Sequence, residues 1–162
     1  MIETITEAIV LDKTDSGEFD SRVYLFTKDL GKVVAKVTSG RKITSKLAGH
    51  LQPLNMVTAR IIEKNGVRLV DALSHGQNKK QAHLIKIFSL VKELAAEGQR
   101  DLALWNFLKK ALSNEFENKN TAEVLSLLGF DPTFAKCDRC QTAKPEKFSV
   151  RDMAFYCKKC FP

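Results

Sequence analysis

The chain has 162 residues, 44% of them apolar and 28% charged, which is enough apolar mass for a packed core and excludes a disordered chain. No apolar run approaches the roughly 18 residues of a membrane span, and the N-terminus MIETITEAIVLDKTDSG has neither the basic start nor the apolar stretch of a secretory signal. The net charge of +7 points to an anionic partner, and the expected location is the cytoplasm, where thiols stay reduced.

The first 75 residues read as strands. Ile5 to Leu11 is β-branched and apolar and ends at Asp15-Ser16-Gly17. Arg22 to Thr27 is a second strand, Asp29-Leu30-Gly31 a tight connection, and Lys32 to Thr38 a third strand. Turn signals and one helical turn near Ser45 to Leu51 precede a fourth strand, Asn55 to Glu63. Asn65-Gly66 is a hairpin signal, and Val67 to Leu73 closes the set. Five short strands with a long connection between the third and fourth predict an OB-type barrel, with a small SH3-like barrel as the other solution.

Residues 76–133 read as helices. Leu84, Ile87, Phe88, Val91, Leu94 and Ala95 share one helical face, which Gly98 interrupts. Leu104, Phe107, Leu108, Ala111 and Leu112 form a second face, with Trp105 beside it as a packing residue. A third helix is expected near Thr121 as its cap, ending at Gly129 before Asp131-Pro132. The predicted fold class is α+β multidomain: a barrel at 1–75, a helical domain at 76–133 and a cysteine module at 134–162 packed on the helices.

All four cysteines fall in CDRCQTAKPEKFSVRDMAFYCKKC. Cys137, Cys140, Cys157 and Cys160 follow C-x₂-C-x₁₆-C-x₂-C spacing, in which each pair turns two sulfurs toward one ion. Phe148-Ser149-Val150 and Ala154-Phe155-Tyr156 supply the arms of a hairpin between the pairs. Four thiolates match one Zn²⁺ with a closed coordination sphere, so the metal is expected to be structural. A zinc deaminase would need an H-x-E glutamate, and none of His50, His75 or His83 has one. No catalytic triad or phosphate-binding glycine loop stands out, and the chain is not expected to be an enzyme.

KVVAKVTSGRKITSK holds Lys32, Lys36, Arg41, Lys42 and Lys46 and no acidic residue. Lys32 and Lys36 are four apart on one strand face, and the other three follow in the connection. Together they could line a phosphate backbone, or form a solvated face. Lys144, Lys147, Arg151, Lys158 and Lys159 form a second, weaker basic group. Phe19, Tyr24 and Phe26 are candidate base-stacking rings, with a core role the commoner outcome in that pattern.

The order of parts resembles the bacterial recombination-repair mediator family RecO. AIVLDKTDSGEFDSRVYLFTKDLGKV looks like that family's opening strands, TSGRKITSKLAGHLQPLNMV like its basic stretch, and LLGFDPTFAKCDRC with the second C-x-x-C like its zinc knuckle. The resemblance implies a non-enzymatic DNA-binding protein of recombinational repair, located with the nucleoid. It would bind single- and double-stranded DNA, anneal strands and act with RecR-like and RecA-like proteins. DNA contact would fall on Lys36, Arg41, Lys42 and Lys46. Family members usually continue with further helices, whereas this chain stops at Pro162, so the resemblance implies either a fragment or a reduced natural form, and the single-strand-binding protein is in doubt as a partner. The other readings are an RNA-binding or ribosome-associated OB and zinc-ribbon protein, and a protein adaptor with an incidental basic face.

Overall fold

The computed structural model describes residues 1–38, 46–76, 81–113 and 120–162. Five strands, β1 (Ile2–Ser16), β2 (Asp20–Thr27), β3 (Gly31–Val37), β4 (Met56–Glu63) and β5 (Val67–Ser74), close a barrel in the order β1-β2-β3-β5-β4. β1 is longer than its apolar stretch predicts because it serves two partners. Ile2 to Ile9 pairs with β4 and Ala8 to Ser16 with β2, with a register shift between Val10 and Asp12 where the strand changes partner. Closure comes from a parallel contact at Lys36 and Arg68 between β3 and β5. A shared first strand and this strand order make the barrel OB-like rather than SH3-like.

Alternate residues of the strands fill the barrel: Val23 and Leu25 of β2, Val33, Ala35 and Val37 of β3, Val57, Ala59 and Ile61 of β4. The run Ala8 to Leu11 is apolar without alternation because both of its faces are covered. Ala8 and Val10 point into the barrel, while Ile9 and Leu11 join Phe26 and Leu54 on the outside beneath the helices. The expected helical turn near Ser45 to Leu51 is a turn at 46–50 closed by Leu51 N–H to Leu47 O at 3.1 Å. Leu51 itself is fully buried and plugs one end of the barrel.

Helices α1 (Ala82–Leu94), α2 (Leu102–Leu112) and α3 (Asn120–Leu127) follow. The predicted stripes of α1 and α2 are the buried ones, and Trp105 is core at 2% exposure. Asp101 caps α2 by accepting the Leu104 N–H at 2.9 Å. Thr121, expected as the cap of the third helix, lies inside it, since α3 begins one residue earlier. α3 ends in a Schellman arrangement: Gly129, at φ 92, donates to Ser126 O at 3.0 Å and Phe130 donates to Leu125 O at 2.7 Å. That turn aims Phe130 at Phe148, with ring centroids 5.1 Å apart.

A two-stranded hairpin, β6 (Lys147–Ser149) and β7 (Ala154–Tyr156), completes the chain. Phe148, Val150 and Phe155 from the hairpin region pack against the same apolar cluster that holds the barrel exterior and the helices. No helix among the described residues is long and apolar enough to cross a membrane.

Candidate nucleic-acid interface and cysteine cluster

The sheet assembles a basic feature that no linear stretch contains. Arg22 of β2 sits opposite Lys36 of β3, and Lys36 in turn pairs with Arg68 of β5. All three are exposed, so three cations stand side by side across three strands at about 5 Å spacing. Neighbouring Asp20 reaches the Lys36 ammonium at 2.7 Å. Val37 follows Lys36 and leads into the connection that carries Arg41 and Lys42, which lie outside the described residues. Lys46, at the far end of that connection, is exposed.

Lys32 has the same strand parity as Lys36 but a different fate. The segment between α1 and α2 runs over that end of β3: Gly98 N–H donates to Lys32 O at 2.9 Å, and Glu97 forms a bridge with Lys32. The Lys32 ammonium donates to the Lys92 carbonyl at the end of α1 at 2.9 Å, and the residue is 8% exposed. It braces the barrel against the helix and does not share the exposed face of Lys36.

The candidate stacking rings also separate. Phe26 is buried beneath the helices. Tyr24 is half-buried, and the Lys92 ammonium lies 4.6 Å over its ring. Phe19, in the β1–β2 turn, is 50% exposed. His50, given no role from sequence, ties the end of the basic connection to the barrel. Its Nδ1 accepts the Ser74 N–H at 3.2 Å and lies 2.8 Å from Ser74 Oγ, while Asn55 donates to the His50 carbonyl at 3.1 Å.

The four cysteines come together. Their sulfurs all lie within 4.8 Å of one another, and Cys140 and Cys157 are 3.7 Å apart. Sulfurs about 2.3 Å from one tetrahedral ion are separated by about 3.8 Å, so the set fits a single soft cation. The first knuckle is closed by Gln141 N–H to Cys137 O at 2.8 Å, the second by Cys160 N–H to Cys157 O at 3.2 Å. Asp138 N–H donates to Phe155 O at 2.9 Å and fastens the first knuckle to β7. Backbone N–H groups of Cys140 and Cys157 lower the Cys137 pKa to about 6. The Cys160 thiol, hydrogen-bonded to Cys157, is pushed up to about 12. Four sulfurs this close cannot all ionise alone, and a divalent ion removes the conflict.

Residues 1–77 match the family model described as Recombination protein O N terminal. Over almost the whole chain the sequence is similar to proteins named DNA repair protein RecO. The one from Desulforudis audaxviator is 29% identical, with 96% of this chain and 69% of the relative covered. Those from Shouchella clausii and Syntrophobacter fumaroxidans are 29% and 27% identical, covering 95% and 86% of this chain. The chain spans between 62% and 69% of the length of these three relatives. With an OB-like barrel in the matched segment and relatives aligned through the helices and the cysteine cluster, the chain is similar to RecO proteins over almost its whole length.

Proposed function

We propose that the chain is a non-enzymatic DNA-binding protein of recombinational repair, which binds single- and double-stranded DNA, promotes strand annealing and acts with RecR-like and RecA-like partners in loading a recombinase. The observation that carries the reading is the Arg22–Lys36–Arg68 row. It crosses the β2–β3 face that OB barrels use for oligonucleotides, at the root of the connection holding Arg41, Lys42 and Lys46. The mechanism is electrostatic: the cations neutralise phosphates, release counterions and remove the repulsion between two strands that must pair. The cysteine set holds one Zn²⁺ in a closed, structural site.

The test is single-stranded DNA binding as a function of salt, with matched RNA as competitor. About four or five phosphate contacts give a log–log slope near −3 to −3.5. Charge reversal at Arg41 and Lys42 is expected to slow annealing while leaving the thermal unfolding midpoint in place. Unchanged annealing would remove the site from this connection. Preference for RNA would favour the RNA-binding reading, and no binding at low salt the adaptor reading.

A further inference from the structure

We propose that the cysteine module carries a second contact surface for single-stranded DNA, made by the Phe134 ring and the cations Lys136, Arg139, Lys144 and Lys159. The inference rests on the DNA-binding reading above and adds a site on the opposite part of the sequence from the barrel.

The charge of the module is unbalanced in a way that its ion pairs make visible. Residues 134–162 carry seven Lys and Arg against three Asp and Glu. Two of those three acids are committed: Glu146 pairs with Lys158 at 2.9 Å, and Asp152 accepts from Ser149 Oγ at 3.0 Å and Tyr156 O–H at 3.3 Å. A zinc–tetrathiolate centre carries a charge of −2, which still leaves the module net positive. Among the described residues, Lys136, Arg139, Lys144 and Lys159 are exposed and make no ion pair. Several cations on the rest of the molecule are paired, including Lys28 with Glu7, Lys36 with Asp20 and Arg60 with Glu3. A phosphate approaching the module therefore has fewer carboxylates to displace.

The fold brings these cations to one region. Arg139 and Lys159 occupy the tips of the two knuckles, whose sulfurs lie within 4.8 Å of one another. The bridge between Lys136 and Ala143 puts Lys144 one rung from Lys136. Phe134, two residues before Lys136, is 86% exposed. A ring left in water two residues from one cation of such a pair, in the segment that leads into a basic knuckle, can hold an unstacked base with its phosphates neutralised. Asp131 and Asp138 are the carboxylates on this stretch, and the Asp131 carboxylate accepts the Thr133 N–H at 2.8 Å. Duplex DNA presents no free base face to such a ring, so a single strand is the occupant that uses both features.

The experiment uses the full chain loaded with zinc and an oligothymidylate probe. Phe134→Trp places an indole at the exposed position, and oligothymidylate is expected to quench it. Trp105, 2% exposed, does not report the same event. Phe134→Ala is expected to weaken binding about tenfold, the scale of one lost base stack. Lys136→Glu with Lys144→Glu is expected to reduce the magnitude of the salt slope by about 1.4, two contacts on a single strand. Zinc content and unfolding midpoint stay unchanged in all three, since every altered side chain is exposed. Absence of quenching, with affinity and slope unchanged in the other variants, overturns this surface. If Arg41→Glu with Lys42→Glu then abolishes binding, the barrel reading survives alone. No oligothymidylate binding by the parent chain would overturn both.

Discussion

A methyl group on Gly31 would lie 1.9 Å from the Gln99 carbonyl oxygen, and the backbone there is already at φ 69. Glycine lets the α1–α2 segment lie directly on β3, which is also what buries Lys32. Gly31→Ala is expected to cost about 2 kcal/mol or more, read as a lower unfolding midpoint. Lys92 secures the same joint from the other side. Its ammonium reaches Asp12 at 2.6 Å over the Tyr24 ring, and the hydrogen bond it donates to the Asp12 carboxylate raises its pKa above the ordinary 10.5. A raised lysine pKa stabilises the fold fully below its ordinary value and loses that contribution as pH climbs through the folded value. Lys92→Met is thus expected to cost about 1 kcal/mol at neutral pH and progressively less above about pH 10.5 in denaturant titrations.

At the scale of elements, the cysteine module is too small to bury its own core, and the proposed metal would share its stabilisation with packing. Packing comes from one aromatic chain: Phe130 at the end of α3, Phe148 5.1 Å away, and Phe155 4.9 Å beyond it. Chelation should therefore loosen 134–162 while leaving the barrel amides protected. Hydrogen exchange checks this, and simultaneous loss of barrel protection would contradict it. Thiolate ligands also make metal retention pH-dependent. Protons compete for the sulfurs as pH falls. Zinc release followed with a chromophoric chelator is expected to rise on acidification, and a flat profile would argue against a tetrathiolate site.

For the whole molecule, the decisive feature is that the barrel and helices share a core. Ile9, Leu11, Phe26 and Leu54 pack with Leu84, Phe88, Trp105 and Leu108 in one cluster. Burying a side chain such as Phe26 or Phe88 contributes about 1.5–3 kcal/mol, and cutting the chain after the barrel would expose several at once. Trp105 fluorescence and far-ultraviolet circular dichroism are accordingly expected to report one coincident thermal transition. Two separated midpoints would show that the barrel and helices are independent units.

Much of this architecture is legible without coordinates because it rests on local pattern. Strand alternation, the Asn65-Gly66 hairpin, the stripes of α1 and α2, Gly129 at the end of α3 and the paired C-x-x-C spacing each encode their element within a few residues. The unbroken apolar run Ala8 to Leu11 even marks the strand covered on both faces. Period-two spacing tells which side of a strand a residue occupies, but not what lies over that side. Tertiary packing alone therefore decided that Lys32 is braced beneath the α1–α2 segment while Lys36 stays in water. It also aligned Arg22, Lys36 and Arg68, because residues far apart in the chain become neighbours only when the barrel closes and β3 meets β5.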